Sequence, residues 1–599
     1  MKKKIVRRFF DSQIDHNLHS LHPVLQRIYL ARNVRAIDDL DYSLSKLPSP
    51  WLLWGMEEMV TILADAVINH RKIVVVADFD ADGATGCAVA ILGLRLLGLT
   101  NLSYVVPNRF EFGYGLTPEL VEASRTENPE LLLTVDNGIS SLEGVNAARK
   151  LGWKVLITDH HLPGEALPEA DAIVNPNLPG DEFPSKSLAG VGVMFYVLMA
   201  LRTRLRDIEW FRQSGKKEPN LAQLLDFVAL GTVADLVPLD RINRILVQQG
   251  LQRICANQTH PGILALLAIA KRSNDSVVSS DFAFAVAPRL NAAGRLEDMS
   301  LGIECLLTDD SEVAERYAFK LDQLNGGRRE IEEKMKIDAF GLNDKMEFSR
   351  DMESVSGICL YDKGWHQGII GILASRIKER FHRPVVAFAP TSNNEIKGSA
   401  RSISGIHIRD VLCDIAAKYP DLIKSFGGHA MAAGLTLNAG DYPAFTSAFE
   451  RVVDDHLSGI DRFENVYTDG VLGNEFMVLE FAETLRKSGP WGQGFPEPLF
   501  EGEFEVIQTR ILKERHLKLL LKLSPENLLD GIVFFIEQPE SWLRCRFVKI
   551  VYRLDVNEYR SLRTPQLMIE NIEDISDKGF RASTSWDVHK GGEVQEVIL

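Results

Sequence analysis

A repeating alternation between residues 71 and 176 constrains the fold of this chain more than any other feature. Short runs rich in β-branched residues or leucine are each followed by a polar cluster and then by a stretch of helical character. The runs are "IVVVA", "LSYVV", "LLLTV", "KVLIT" and "AIV". Such alternation is typical of βα units, whose parallel strands are covered by helices on both faces. The sequence therefore predicts an α/β domain built on a parallel sheet.

Each of these runs stops at a group of polar side chains. The groups are Asp78-Phe79-Asp80-Ala81-Asp82, Pro107-Asn108-Arg109, Asp136-Asn137-Gly138, Asp159-His160-His161 and Asn175. In open α/β sheets, the ligand crevice lies outside the carboxyl ends of the strands. We therefore expect these groups to converge in space.

Members of these groups, together with Asp235 farther along the chain, make a candidate ligand set for two hard divalent cations. Its members are Asp80, Asp82, Asp136, His160 and Asp235. Carboxylates suit Mg²⁺ or Mn²⁺, an imidazole shifts the preference toward Mn²⁺, and a shared carboxylate bridges metals about 3.5 to 4 Å apart. A lone aspartate at a strand end is more often a helix cap or turn residue. The joint pattern favours cations, because independent caps need not collect at one end of a sheet.

The triplet Asp159-His160-His161 is the most specific short signal. One imidazole can ligate a metal while the adjacent one faces a substrate oxygen, and Asp159 can orient a histidine by accepting its other N–H. A capped turn with two hydrogen-bonded histidines explains the same triplet. The triplet alone leaves both interpretations open.

Other motifs combine small residues with cationic or hydroxyl side chains. "SFGGHAMAAG" places His429 after Gly428, "KGSARS" contains Ser399 and Arg401, and "VAPRLNAAGRL" contains Arg289 and Arg295. Glycine lets a backbone approach a ligand closely, and imidazole or guanidinium groups suit a phosphate oxyanion. Packed turns, solvated loops and structural ion pairs are the alternatives, and they stay open at this point.

The C-terminal part of the chain has a different pattern. A second α/β pattern at 357–454 is followed by short alternating strands that predict a small β-barrel. Its segment "RILKERHLKLLLKL" is basic, which suits a nucleic-acid backbone with stacking on Phe504 or Phe534, although a solvated strand face is the alternative. The final stretch, 577–599, has little apolar periodicity and predicts a loosely ordered tail.

Composition narrows the class of protein without deciding its ligand. The 599 residues are 45% hydrophobic and 25% charged, as in globular proteins of several domains. The basic start "MKKKIVRRFFDSQ" has no secretory-signal pattern, and the six cysteines form no CxxC pair, so we expect a cytoplasmic protein with reduced thiols. The net charge of -15 does not exclude nucleic acid, because binding depends on local basic surface.

Taken in order, the motifs "DFDADG", "PNRFEFGYG", "VDNG", "DHH", "LGTVADLVPL", "APRLNAAGR" and "FGGHAMAAG" resemble those of the DHH phosphoesterase superfamily. Together with "WHQGIIGILASRI", "KGSARS" and "WGQGFPEPLF", they resemble the RecJ family of bacterial single-strand-specific exonucleases. The implied fold is multidomain α/β: a parallel-sheet DHH domain linked by a long helix to a smaller α/β DHHA1 domain, followed by an OB-fold barrel. The implied boundaries are an N-terminal segment at 1–50, the DHH domain at 51–305, the connecting helix at 306–346, the DHHA1 domain at 347–456, the OB-fold at 462–574 and a tail at 575–599.

The resemblance also implies roles for individual residues. The positions that match metal ligands are Asp80, Asp82, Asp136, His160 and Asp235. The positions that match catalytic residues beside the metals and the scissile phosphate are Asp78, Asp136 and His161. The positions that fall on motifs holding DNA phosphates are Arg109, Arg289, Arg295, Ser399, Arg401, Gly428 and His429.

The implied activity is hydrolysis of single-stranded DNA from the 5′ end with two Mn²⁺ or Mg²⁺ ions, releasing 5′-mononucleotides in recombination and repair. The implied protein is a monomer whose partners are single-stranded DNA-binding protein and a RecQ-type helicase. A phosphodiesterase for short oligonucleotides or cyclic dinucleotides and a noncatalytic scaffold are the alternatives. The β-rich domain disfavours the first, and the complete aspartate and histidine motifs disfavour the second.

Two stretches depart from the family pattern. Gly326-Gly327 lies in the middle of the connecting helix, where each glycine costs about 1 kcal/mol relative to alanine, and this predicts a kink or break. The last residues match no motif of the family.

Overall fold

The computed structural model describes residues 3–10, 16–108, 112–341, 355–391, 394–457, 464–559, 562–576 and 597–598. The chain divides into two compact units. The larger unit contains Val6–Asp322 and Tyr467–Gln595, and the smaller contains Met1–Ile5, Gln323–Val466 and Glu596–Leu599. Within the described ranges, no helix combines the length and apolar character that crossing a membrane requires.

A five-stranded parallel sheet forms the first domain of the larger unit. Its strands lie in the order β3-β2-β4-β5-β6. Their bounds are β2 Ile73–Ala77, β3 Leu102–Val105, β4 Leu131–Val135, β5 Lys154–Thr158 and β6 Ala172–Val174. Every residue of β2 and β4 is buried, as expected for apolar strands covered on both faces. The predicted α/β sheet is confirmed.

Helices cover this sheet and continue beyond it. Their bounds are α1 Pro23–Leu30, α2 Met56–Ile68, α3 Ala81–Leu96, α4 Pro118–Ala123, α5 Leu142–Lys150, α6 Gly190–Asp207, α7 Trp210–Ser214, α8 Leu225–Ala234, α9 Arg241–Cys255, α10 Pro261–Ile269, α11 Ser279–Asp281, α12 Ala287–Leu296 and α13 Ser300–Leu307. Helix α3 directly follows β2 and packs against α6 and α8. It is apolar on nearly all sides, which is typical of a helix at the centre of a domain.

A long helix, α14, spans Ser311–Gly341. The break predicted at Gly326-Gly327 is wrong, because the helix runs through both glycines without interruption. A side chain at either position would meet no neighbour within 4 Å, so packing does not depend on these positions. Leu321 and Met335, on either side of the glycines, are buried. Their packing stabilises the helix by more than the two glycines destabilise it.

A second α/β domain lies in the smaller unit. Its sheet has the order β10-β11-β9-β8-β7, in which only the β7–β8 pair is parallel. The strands are β7 Ile358–Tyr361, β8 Val385–Pro390, β9 Glu395–Arg401, β10 Ser425–Gly428 and β11 Ala432–Asn438, and the helices are α15 Ile370–Phe381, α16 Ile408–Lys418 and α17 Tyr442–Leu457. Helices α16 and α17 share one apolar core with the sheet.

The C-terminal domain is a closed five-stranded barrel, and the predicted β-barrel is confirmed. Helix α18 Leu479–Lys487 precedes its strands β13 Phe500–Leu512, β14 His516–Ser524, β15 Asn527–Val533, β16 Phe547–Tyr559 and β17 Leu562–Asp574; the remaining strands are β1 Lys3–Arg7, β12 Glu464–Thr468 and β18 Val597–Ile598. Phe504 is buried beside Tyr552, so the suggestion that it stacks on bases is wrong. Phe534 is about half-exposed. The predicted tail, 575–599, lies outside the described residues apart from 575–576 and 597–598.

The N-terminal segment is anchored to the C-terminal domain within the larger unit. Arg32 donates to both carboxylate oxygens of Asp469 at 2.7 and 3.0 Å, and both side chains are almost completely buried. The same guanidinium donates to the carbonyl of Pro496. The Tyr29 ring stacks near Trp491. Helix α1 therefore belongs structurally to the barrel region.

This buried ion pair generates a stability prediction. Asp469→Ala leaves the Arg32 guanidinium buried without its carboxylate, so we expect the free energy of unfolding to fall by about 3–5 kcal/mol. Urea denaturation of the purified protein measures the change. The control is Glu122→Ala, which removes the exposed Glu122–Arg125 pair of the same unit and should cost no more than about 1 kcal/mol. Equal effects of the two substitutions would contradict the prediction.

Candidate metal centre

The turn after β2 arranges the first three carboxylates. Asp80 is the N-cap of α3, and its Oδ1 accepts hydrogen bonds from the backbone N–H groups of Asp82 (2.9 Å) and Gly83 (3.0 Å). The Ala81 N–H donates to Oδ1 of Asn291 on α12 at 2.9 Å. The capping role considered for a lone aspartate is therefore real, and it coexists with a place in the cluster of acids.

Asp82 lies at the N-terminus of a second helix. Its Oδ2 accepts the Gly190 N–H at 2.7 Å, and its Oδ1 accepts the Val191 N–H at 3.0 Å, both from the first turn of α6. The side chain is fully buried. The positive end of α6 stabilises a carboxylate that burial would otherwise destabilise.

Asp136 directly follows β4 and has an unusual backbone conformation. Its φ is 65°, in the left-handed region that a residue other than glycine rarely adopts, and its side chain is buried. Gly190 lies against it: a Cβ at position 190 would be 2.5 Å from the Asp136 Cβ. The absence of a side chain at Gly190 is thus a condition for the position of Asp136.

The turn after β5 holds the two histidines through hydrogen bonds on both sides. His161 Nδ1 lies 2.7 Å from Oδ1 of the buried Asp159, whose oxygens also accept the backbone N–H groups of Ile139 and His160. Asn175 and Asn177 donate to the carbonyls of His161 and His160. This network orients both imidazoles, and Asp159 has the orienting role that the triplet suggested.

His160 connects the acidic groups. Its Nε2 lies 3.0 Å from Asp136 Oδ1, 3.6 Å from Asp235 Oδ2 and 4.0 Å from Asp82 Oδ2. Asp235 follows the last residue of α8 as its C-cap. The sheet thus brings together residues far apart in sequence, and the predicted convergence is observed.

The site contains three groups of possible metal ligands, and within each group the ligand atoms lie within 4.8 Å of one another. They are Asp136 with His160 and His161, Asp82 with His160 and Asp235, and Asp78 with Asp80 and Asp136. Asp136 and His160 each belong to two groups. This sharing is the geometry that a pair of neighbouring cations needs.

The electrostatics of the cluster also point to a cation. Burial, reinforced by the charges of Asp82 and Asp80, raises the pKa of Asp136 well above its ordinary range. Burial and the Asp80 charge raise the pKa of Asp82 to about 7. Burial alone would lower the pKa of His161, but its hydrogen bond to Asp159 raises it to about 9. Carboxylates crowded in a buried site stay ionised only when positive charge lies among them.

The donor set fits hard divalent cations. Carboxylate oxygens suit Mg²⁺, and the addition of an imidazole suits Mn²⁺. No thiol belongs to the three groups, which disfavours zinc of the structural type. The residues present therefore fit the predicted metals.

The predicted phosphate contacts of the larger unit have different surroundings. Arg289 donates to Asp322 at 2.9 Å and to the carbonyl of Ala285 at 2.6 Å, so an ion pair occupies its guanidinium. Arg295 is half-buried near the end of α12. Arg109 lies outside the described residues.

In the smaller unit, Ser399 and Arg401 lie on the same face of β9. Arg401 donates to Ser399 Oγ (3.0 Å) and to the Ala400 carbonyl (2.8 Å), and burial lowers its pKa. Among the described residues, no carboxylate forms an ion pair with it. A side chain at Gly371 would lie 2.8 Å from the Arg401 guanidinium, so glycine there makes room for it.

Gly428 ends β10, and His429 begins the turn to β11. Gly428 has a φ of 145°, and the His429 N–H donates to the Ala432 carbonyl at 2.8 Å. The imidazole is exposed. These residues belong to the smaller unit, as do Ser399 and Arg401.

Sequence reasoning missed several supporting residues. Tyr114 lies within a quoted motif, and its hydroxyl is 3.2 Å from the His161 ring nitrogens and donates to the Asp136 carbonyl at 3.3 Å. Asn177, Gly190 and Asn291 position the cluster through backbone contacts. Their motifs, "VNPN", "AGVG" and "NAAGR", contained the signal, but only the fold shows what each residue touches.

Comparison with known proteins gives a consistent result. The chain matches models of the DHH family, N-terminal domain, at residues 72–232, the DHHA1 domain at 354–455 and the RecJ OB domain at 468–571. It is 51% identical to the single-stranded-DNA-specific exonuclease RecJ of Dickeya dadantii, over 92% of this chain and 96% of that protein. It is 50% identical to the Escherichia coli protein of the same name, over 93% and 96%.

A solved structure agrees with these matches. The crystal structure of Thermus thermophilus RecJ in complex with Mn²⁺ is 30% identical, with a TM-score of 0.73, and the match covers 92% of this chain and 76% of that one. The fold and the metal centre together define a DHH-type protein with DHHA1 and OB domains. Within that class, the chain belongs to the RecJ family.

The contact between Gly190 and Asp136 generates the second prediction. Gly190→Ala places a methyl group against Asp136 and disturbs the helix terminus that holds Asp82, so we expect Mn²⁺ affinity to fall by at least about tenfold. Isothermal titration calorimetry with MnCl₂ measures this. Gly192→Ala, two residues along the same helix, is the control, because its added methyl would make only ordinary contact with Leu188. Unchanged affinity in Gly190→Ala would contradict the prediction.

Proposed function

We propose that this chain is a metal-dependent exonuclease that hydrolyses single-stranded DNA from the 5′ end and releases 5′-mononucleotides. The observation that carries the proposal is the sharing of Asp136 and His160 between adjoining ligand groups at the carboxyl edge of the sheet. Membership of the RecJ family, whose named members are single-stranded-DNA-specific exonucleases, supports the choice of substrate. The 5′-to-3′ direction comes from the family resemblance.

The proposed ligands of two Mn²⁺ or Mg²⁺ ions are Asp80, Asp82, Asp136, His160 and Asp235. When bound, such ions supply Lewis acidity toward the phosphodiester and favour the deprotonated form of water at neutral pH. Asp78, whose carboxylate lies close to those of Asp80 and Asp136, supports the ligands. His161, oriented by Asp159 and Tyr114, donates a hydrogen bond to a phosphate oxygen. Asp136 is both ligand and catalytic residue.

The proposed phosphate contacts have different strengths of support. Arg401 has the strongest case, because a half-buried guanidinium without a carboxylate partner among the described residues suits an anion. Ser399 lies beside it, and the exposed His429 imidazole, which follows Gly428, offers a further donor. Arg289 is paired with Asp322, so its guanidinium must leave this carboxylate, or bind it and a phosphate together, to contact DNA. Arg295 and Arg109 are proposed on their motifs alone.

The biological setting follows from the substrate. We propose that the protein acts as a cytoplasmic monomer on DNA intermediates of recombination and repair. Single-stranded DNA-binding protein and a RecQ-type helicase are its proposed partners, because one covers and the other produces single strands. The OB barrel supports a substrate longer than a dinucleotide.

Labelled single strands test the activity, its direction and the metal site together. We expect Asp136→Asn to lower kcat/KM with Mn²⁺ on the order of 100-fold or more, because it removes a charge shared by two ligand groups. Asp207→Asn, the same change at an exposed position, should have no effect. The wild-type protein should release labelled mononucleotide at once from a 5′-labelled strand and only late from a 3′-labelled one, and EDTA should abolish both. Full activity in Asp136→Asn would overturn the metal assignment, and equal attack at both ends would overturn the direction.

The Arg401 assignment has its own test. Arg401→Ala removes a charge-assisted hydrogen bond to phosphate, so we expect KM for a single strand to rise about ten- to hundredfold. The slope of log KM against log salt should fall by about 0.7, the value for one phosphate contact on a single strand. Lys418→Ala, which removes an exposed cation of the same unit, is the control. An unchanged salt slope in Arg401→Ala would show that this guanidinium does not bind phosphate.

A further inference from the structure

A groove of about 890 Å³ lies within the larger unit. Its lining comes from the stretches 233–284, 483–499 and 553–570, so the catalytic and barrel domains both contribute. Asp235 lies between two of the lining residues, Val233 and Leu236. Leu236 is covalently joined to Asp235, so this part of the groove lies one residue along the chain from a proposed metal ligand.

Two apolar side chains of the groove are exposed to an unusual degree. Phe284 is 75% exposed and Leu236 is 67% exposed, whereas Phe282 and Val286, the neighbours of Phe284 on the same segment, are completely buried. Large apolar side chains that line a groove beside an active site are typical of ligand contacts.

The backbone at both positions is irregular. Phe284 lies in a π-helical segment, Phe282–Val286, inserted between α11 and α12. π-helical turns are rare and occur frequently at functional sites. Leu236 has a φ of 60°, a left-handed conformation that is uncommon for a leucine. Unfavourable local conformations that display apolar side chains are expected where those side chains contact a ligand.

The arginines that line the groove are already paired with carboxylates. Arg553 lies 2.7 Å from carboxylate oxygens of both Glu497 and Glu570. The other arginines of the lining, Arg486 and Arg563, also lie within ion-pair distance of carboxylates. A ligand of this groove therefore gains little from its phosphates here and gains most from an apolar, flat surface.

We propose that Phe284 and Leu236 contact the nucleobases of the single strand close to the site of cleavage, with Phe284 stacking on a base face. This inference rests on the proposed function and adds the residues that hold the bases. Unpaired bases present the flat apolar faces that the groove accommodates, and stacking on an aromatic ring tolerates any base. A duplex hides these faces, so the contact favours single strands.

Abasic substitution tests the contact directly. Fluorescence anisotropy with 5′-phosphorylated single strands measures binding, and a single abasic site is moved through about the first eight nucleotides, within the site size of one OB-type protein. We expect Phe284→Ala to weaken binding of the intact strand about tenfold or more. At one or two positions, an abasic site should weaken binding by the wild-type protein by the same factor as Phe284→Ala does. The same abasic site should not weaken binding by Phe284→Ala any further. Phe284→Trp should restore binding.

Further variants separate this role from folding. Leu236→Asn keeps a residue that tolerates the left-handed backbone but removes the apolar contact, so it should weaken binding as well. Phe319→Ala changes an aromatic residue of similar exposure, 55%, outside the groove lining and should bind normally. All variants should unfold at the temperature of the wild-type protein.

Two results would overturn the proposal. One is that Phe284→Ala binds the single strand as tightly as the wild-type protein does. That result would favour a protein partner as the ligand of the groove. The other is that Phe284→Ala weakens binding by the same factor whichever position of the strand is abasic. Because binding is measured without turnover, base-dependent binding without strand cleavage would refute the proposed hydrolysis alone, and cleavage independent of Phe284 would refute this inference alone.

Discussion

The mutual repulsion of buried carboxylates is the constraint on which the rest of this structure depends. Asp78, Asp82 and Asp136 are all buried, and burial raises the pKa of the last two. Such a cluster is unfavourable unless dipoles and cations offset its charge. The N-terminus of α6 supplies the dipoles for Asp82, and the shared ligand groups around Asp136 and His160 supply the place for cations.

The helices around the sheet are arranged to meet that constraint. Gly190 lets α6 approach Asp136, and Asn291 ties α12 to the turn that carries Asp80. The same helix α12 continues from the π-helical segment that displays Phe284. Helix α12 thus supports both the proposed metal centre and the groove. The positions of the proposed metal ligands and of Phe284 therefore depend on the packing of the same helix.

The sequence predicted the positions of the strand ends because β-branched runs and polar clusters are local signals. The α/β sheet, the barrel and the convergence of Asp82, Asp136 and His160 followed from them. Long-range pairs were not predictable in this way. Nothing local marks Arg289 as the partner of Asp322, and the continuity of α14 through Gly326-Gly327 depends on packing on either side of it. The double use of Asp80, as cap and as member of the acidic cluster, also needs the fold, since the sequence offered these roles as alternatives.

The Arg32–Asp469 pair has a consequence for the order in which the molecule is made. The two residues are 437 positions apart, and the chain builds most of the smaller unit between them. During synthesis, the apolar face of α1 and the guanidinium of Arg32 therefore lack these partners until the C-terminal domain has been made. Contacts of such large sequence separation slow folding and leave intermediates open to aggregation. This long-range contact should therefore make folding depend on chaperones, in addition to its contribution to the stability of the folded protein.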